Sequence, residues 1–176
     1  MMQMLAAGGL PVLHDGLRAA DEDNPRGYFE WERIRSLPRD PGCIAEAEGK
    51  AVKVISPLLR FLPADRNYKV VFLRRPLAEV AASQSAMIAR RKTTAPPGDR
   101  NAIVASLGAH LNEVTAWLTG QAHLEVCWVD HASLMIDARR QARMIADFLA
   151  GASAAMLDVD AMAKQVVPSL HRQRSG

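Results

Sequence analysis

Short apolar segments alternate along this chain with longer segments of amphipathic character. The apolar segments lie at residues 50–55, 68–73 and 123–129, and they are rich in β-branched residues. Each is followed by a turn or helix signal, and largely apolar character over so few residues is typical of strands buried on both faces. The pattern therefore predicts three buried parallel strands.

Helical periodicity occupies most of the remaining chain. Apolar residues recur at three- and four-residue spacing over 76–90, 102–120 and 137–150, and residues 1–7 have the composition of a helix interior. The proline-rich segment 92–100 separates two of these helices and is predicted to be an exposed loop. Strands alternating with helices predict βαβ units, and hence an α/β fold in which helices flank a parallel sheet.

Length and composition are those of one globular domain. The chain has 176 residues, of which 49% are hydrophobic and 23% charged, so we assign residues 1–176 to a single domain. No apolar run approaches the roughly 18–20 residues that cross a bilayer, which argues against a membrane partner. The two cysteines, Cys43 and Cys127, are too few for a disulfide framework and predict a reducing, cytoplasmic location.

The charge pattern argues against a nucleic-acid partner. The formal net charge is only +3, aromatic residues make up 5%, and the basic residues form no dense stripe. Of the 22 basic residues, 17 are arginine, a bias that a GC-rich genome also produces. The guanidinium group nevertheless suits bidentate recognition of phosphate or sulfate, so individual arginines are candidate ligands for an anion.

The most informative stretch follows the second predicted strand. That strand ends in Arg74 and Arg75, and Pro76 then occupies the first position of a helix that carries Glu79 and Ser83. Because ligands of parallel α/β sheets bind beyond the carboxyl ends of the strands, both arginines lie where an anion would be held. A purely structural alternative is that they pair with Glu79 or another carboxylate.

This stretch resembles a known nucleotide-binding motif. An arginine at a strand end, an acidic residue four positions later and a serine eight positions later form the 3′-phosphate motif of sulfotransferases that use 3′-phosphoadenosine 5′-phosphosulfate (PAPS). The resemblance implies that Arg75 and Ser83 bind the 3′-phosphate and that Glu79 helps to orient them. It also implies the P-loop nucleoside-triphosphatase-like fold of that family.

Two further segments are similar to bacterial members of the family. Residues 23–30, D-N-P-R-G-Y-F-E, contain the asparagine-proline-x-glycine-tyrosine stretch that follows the first helix of such proteins. Residues 166–172, V-V-P-S-L-H-R, resemble their C-terminal ending. The second similarity implies that Arg172 lies in a basic segment that covers the nucleotide.

The chain also departs from the family pattern. Sulfotransferases begin with a strand and a phosphate-cradling loop of the type proline-x-serine-glycine-threonine-serine, and the 176 residues contain no such loop. The first residues resemble instead the helix that follows it. We therefore expect an N-terminally incomplete version of the fold, which starts one strand and one loop late and has a gap in the middle of its sheet.

The catalytic base is harder to assign. Family members use a histidine near the end of a middle strand, where this chain reads V-K-V-I-S-P over 52–57. Lys53 and Ser56 are the candidates there for contacting the sulfuryl group or the substrate, although Lys53 also suits a plain strand-edge charge. Because some members use a glutamate, Glu30 and Glu32 are alternative candidates, and Glu32 also suits a solvated helix face.

The remaining polar positions have structural interpretations. His110 lies on a face of an amphipathic helix and is predicted to pack, whereas Asp130 is predicted to cap the helix that follows the third strand. His14 follows a short apolar run and is a candidate for the mouth of a cleft. No group of histidines, cysteines and carboxylates has the spacing of metal ligands, so no metal is predicted.

The sequence thus favours a PAPS-dependent sulfotransferase that acts on a hydroxyl or amine of a small-molecule or glycan acceptor, with the expectation of activity depending on a phosphate loop supplied upstream of residue 1. Two alternatives stay open. One is a truncated or degenerate homologue without catalytic activity, and the other is a small P-loop kinase-like phosphotransferase. Nothing in the sequence indicates the identity of the acceptor or the oligomeric state.

Overall fold

The computed structural model describes residues 1–21, 24–90, 99–151 and 156–167, with side chains described outside 85–90. Its strands are β1 (Val12–Leu13), β2 (Ala51–Val52), β3 (Tyr68–Arg74) and β4 (Leu124–Asp130). Its α-helices are α1 (Met2–Ala7), α2 (Leu77–Arg90), α3 (Arg100–Thr119), α4 (His131–Ile136), α5 (Ala138–Leu149) and α6 (Val159–Lys164). Three 3₁₀ helices span Glu32–Ser36, Pro41–Ala47 and Ser56–Phe61.

The strands form two separate parallel pairs. β1 pairs with β2, and β3 pairs with β4 in a register that runs from Tyr68 opposite Leu124 to Arg74 opposite Asp130. Parallel strands flanked by helices confirm the predicted α/β class. Between the described residues of the two pairs there is no hydrogen-bonded ladder.

Two of the three predicted strands have nearly the predicted bounds, and the third is shorter. The strand predicted at 50–55 is reduced to Ala51–Val52. A strand exists only where a neighbour pairs with it, and the partner β1 is itself two residues long. A 3₁₀ helix then begins at Ser56, with Pro57 in its first turn, so the apolar residues that follow Val52 have no ladder to join.

The predicted helices are present with shifts of one or two residues at their ends. α3 begins where the Asp99 carboxylate accepts a hydrogen bond from the Asn101 N–H, and α5 begins where Asp137 accepts one from Arg140. The loop predicted at 92–100 lies largely outside the described residues.

Helices cover both faces of the β3–β4 pair. On one face, Val129 packs with Met4, Ile145 and Met162, which come from three different helices and are at most 2% exposed. On the other face, Leu124 belongs to a cluster built largely from α3 and the 3₁₀ helices. Because alternate residues of a strand point to opposite faces, β4 contributes to both clusters.

Candidate functional site

A cleft of about 1120 Å³ borders both strand pairs. Its walls include residues of β2 and of β3, the first turns of α2 and one face of α3. Just over half of the lining residues are apolar, and about a third are polar or charged. The polar lining residues with chemistry of interest are Lys53, Ser56, Arg75 and His110.

Arg75 and Glu79 meet at the carboxyl end of β3. Arg75 Nη2 lies 3.3 Å from Glu79 Oε2, and Glu79 is only 7% exposed. Arg75 precedes α2 and Glu79 lies in its first turn, so the structure forms the pairing with Glu79 that the sequence left open as a structural alternative. Arg75 also has a buried Nε with no hydrogen-bond partner among the described residues, and a buried guanidinium N–H without an acceptor is costly in free energy.

Ser83 lies further along α2. It is half-buried and four residues beyond Glu79, which places it about 6 Å further along the helix axis. It is not among the residues that line the cleft. The structure therefore brings Arg75 and Glu79 together at the cleft and places Ser83 on the adjoining turn of the same helix.

The adjacent Arg74 forms its ion pair with a different carboxylate from that of Arg75. Its Nε lies 3.1 Å from Asp130 Oδ1, and its guanidinium carbon is 5.4 Å from the centre of the Trp128 ring. Asp130 occupies the N-cap position of α4, but its side chain makes no capping hydrogen bond. The predicted capping role of Asp130 is therefore wrong, because its carboxylate faces Arg74 across the β3–β4 ladder instead.

Lys53 and Glu30 belong to a compact cluster of charges. Lys53 Nζ lies 3.2 Å from Glu30 Oε1 and 3.3 Å from the Tyr28 carbonyl oxygen. Arg18 Nη1 is 3.4 Å from the same Glu30 oxygen, and the Arg18 guanidinium lies 3.3 Å from the centre of the Tyr28 ring. The structure thus brings together Glu30 and Lys53, two candidate residues that are 23 positions apart in the sequence.

The ionisation of Glu30 follows from this arrangement. Burial opposes the charged form, but the hydrogen bond and charge of Lys53, together with Arg18, outweigh burial and lower the pKa of the Glu30 carboxyl. A carboxylate with a lowered pKa is a weak proton acceptor. The geometry therefore favours a role for Glu30 in holding Lys53 rather than in abstracting a proton.

Acid is expected to abolish the stabilisation that this cluster provides. Because the Glu30 pKa is lower in the folded chain than in the unfolded chain, its contribution is complete above about pH 4.3 and is lost as the pH falls through the folded value. We expect Glu30→Gln to lower the free energy of unfolding by under about 1 kcal/mol at neutral pH. Urea unfolding should show this difference shrinking as the pH falls below about 4.3, the ordinary pKa of a glutamate, whereas a pH-independent difference would contradict the assignment.

The backbone is strained next to this cluster. Phe29 has a φ of 50°, in the left-handed region that residues with a bulky side chain rarely adopt. Phe29 lines the cleft together with Tyr28, and its ring contacts His14 edge-on at 5.4 Å. His14 itself is not among the cleft-lining residues, so it supports the wall from behind.

Ser56 and His110 are joined by a hydrogen bond in the cleft. Ser56 Oγ lies 2.8 Å from His110 Nε2, and both residues are half-buried. The sequence predicted a packing role for His110 because of its place on an amphipathic helix. Its neighbours Leu107 and Leu111 also line the cleft, so this face of α3 borders a cavity rather than a closed core. The position of His110 beside Leu107 and Leu111 on α3 was the feature of the sequence that could have indicated its place in the cleft.

Glu32 and Arg172 are the last two residues that the sequence predicted for the site. Glu32 pairs with Arg35 at 2.8 Å, and both side chains are more than half exposed, as expected for a solvated helix face. Arg172 lies outside the described residues. Within the described ranges there is no cluster of histidines, cysteines and carboxylates that could hold a metal ion, and no helix is long and apolar enough to cross a membrane.

Comparison with family models, with curated proteins and with solved structures gives no match to this chain. The assignment of function therefore rests on the residues of the cleft and on their geometry.

Proposed function

We propose that this chain transfers a sulfuryl group from PAPS to a hydroxyl or amine of a small-molecule or glycan acceptor. The observation that supports the proposal most strongly is the position of Arg75, which directly follows the carboxyl end of β3. Arg75 borders the cleft and pairs with the buried Glu79. An arginine so placed can bind a phosphate by charge-assisted hydrogen bonds.

The proposed architecture is the P-loop nucleoside-triphosphatase-like fold of sulfotransferases. Parallel pairing of β3 with β4 and the connection from β3 through Arg75 and Pro76 into α2 support it. Ligands of such folds bind where the strands end. The end of β3 lies at the cleft, which is where the nucleotide would bind.

Each proposed site residue then has one role. Arg75 and Ser83 bind the 3′-phosphate, and Glu79 holds the Arg75 guanidinium in place. Lys53, positioned by Glu30, contacts the oxygens of the sulfuryl group. From the sequence resemblance, Arg172 contacts the nucleotide.

The Arg75 guanidinium suits an anionic ligand such as PAPS. Its buried Nε has no acceptor among the described residues, and an anion at the end of β3 would supply one. PAPS provides an activated sulfuryl group and a good leaving group. The chain's residues would bind and orient the nucleotide, and their fixed positive charges would stabilise negative charge on the transferring oxygens.

The first test is nucleotide binding. Arg75→Ala is expected to weaken binding of 3′-phosphoadenosine 5′-phosphate by about 1.5–3 kcal/mol, because a hydrogen bond to a charged group has that magnitude. Binding of adenosine 5′-phosphate, which lacks the 3′-phosphate, should change much less. Isothermal titration calorimetry measures both affinities.

Arg139→Ala is the matched control, because Arg139 lies on α5, is not among the residues that line the cleft and pairs with Asp160. It should leave both affinities nearly unchanged. Equal losses for the two nucleotides in Arg75→Ala would contradict the 3′-phosphate site. A wild-type chain that binds neither nucleotide would favour the degenerate homologue, and preferential binding of ATP would favour the phosphotransferase.

A further inference from the structure

The hydrogen bond between Ser56 and His110 links two parts of the cleft wall. Ser56 begins the 3₁₀ helix after β2, and His110 lies on α3, 54 residues later in the sequence. The contact of 2.8 Å is short enough for the serine hydroxyl to donate to an imidazole nitrogen. Both residues border the same cleft as Lys53 and Arg75.

The surroundings of His110 are apolar toward the cleft and charged behind it. Leu107, about one turn before His110, and Leu111, the next residue, also line the cleft. Glu113, three residues further on, is 2.8 Å from Arg60 Nη2, so its charge is paired. The Ser56–His110 pair is therefore a hydroxyl and an imidazole in a largely apolar wall.

We propose that Ser56 and His110 form the proton relay for an uncharged alcohol or phenol bound in this cleft. The inference rests on the proposed function and narrows the acceptor to a hydroxyl on an apolar skeleton. A serine hydroxyl that donates to His110 Nε2 can accept a proton from the substrate hydroxyl as it passes its own proton on.

One sulfuryl group and one proton move in the proposed step. The acceptor O–H bond breaks as its oxygen forms a bond to sulfur, and the bond between sulfur and the 5′-phosphate oxygen of PAPS breaks. The acceptor proton moves to Ser56 Oγ, and the Ser56 proton moves to His110 Nε2. The products are the sulfate ester and 3′-phosphoadenosine 5′-phosphate, and the imidazolium then releases its proton to water.

The relay is tested by sulfuryl transfer from PAPS to 2-naphthol. His110→Ala is expected to lower kcat about 100-fold or more, because proton transfer by a positioned group contributes about 100- to 10,000-fold, and Ser56→Ala is expected to lower kcat by a smaller factor. The Kd for 3′-phosphoadenosine 5′-phosphate should stay within about twofold of wild type. Imidazole added to the buffer should restore part of the activity of His110→Ala.

Control variants distinguish loss of the proton relay from loss of folding and from failure of the proposed function. His110→Gln, which keeps a polar side chain at this position, should fold normally and still lose kcat. A wild type that fails to bind 3′-phosphoadenosine 5′-phosphate overturns the proposed function and the relay with it. Nucleotide binding without transfer to 2-naphthol, normal kcat in His110→Ala, or a sulfuryl group covalently attached to Ser56 overturns the relay alone.

Discussion

Replacement of Lys53 by alanine is expected to slow sulfuryl transfer about 100- to 1000-fold while nucleotide binding is retained. Lys53 Nζ is fixed in the cleft wall by Glu30 Oε1 at 3.2 Å and by the Tyr28 carbonyl at 3.3 Å. A positive charge held in place stabilises oxygens that gain negative charge in the transition state, and loss of one such donor has an effect of this size. Single-turnover transfer from PAPS measures the rate, and calorimetry measures the binding.

Two variants control for this prediction. Lys164→Ala removes an exposed lysine of α6 and should leave the rate unchanged. Lys53→Arg keeps the charge on a longer, planar group and should lose less than Lys53→Ala. If Lys53→Ala lost as much nucleotide affinity as rate, Lys53 would be a ligand of the bound nucleotide rather than of the transition state.

Replacement of Ile145 by alanine is expected to lower the free energy of unfolding by about 2–5 kcal/mol. Ile145 is fully buried in the cluster that joins α1, α5 and α6 to one face of the β3–β4 pair. Truncating a buried isoleucine removes apolar burial and leaves a cavity that the rigid neighbours fill only in part. Denaturant unfolding monitored by circular dichroism measures the loss.

Met144 is the matched position on the same helix. It precedes Ile145 but is 37% exposed, so Met144→Ala should cost well under half as much. Equal losses at the two positions would mean that α5 does not pack against the β3–β4 pair through the face that carries Ile145.

Local pattern was sufficient to predict the long elements. Tyr68–Arg74 and Leu124–Asp130 are strands because each is long enough to pair with the other along seven residues. α2, α3 and α5 follow from apolar periodicity and from carboxylates that cap two of them. In these segments the backbone hydrogen bonds and the buried face are both specified within a dozen or so residues.

The short elements could not be predicted in this way. β1 has two residues, and the three 3₁₀ helices have five to seven. Segments of this length contain too little of a period to show one, and their conformation depends on what packs against them. For the same reason the length of β2 was overestimated, since its partner strand limits it.

The candidate site also combines contacts between residues close in sequence with contacts that depend on tertiary packing. Arg75 and Glu79 are only four residues apart around the start of α2, so the sequence could offer their pairing as one alternative, which the structure forms. The pairs Lys53–Glu30 and Ser56–His110 join residues that are 23 and 54 positions apart. Only tertiary structure decided these contacts, because the packing of separate elements around the cleft brings their side chains within hydrogen-bond distance, and no local spacing encodes that approach.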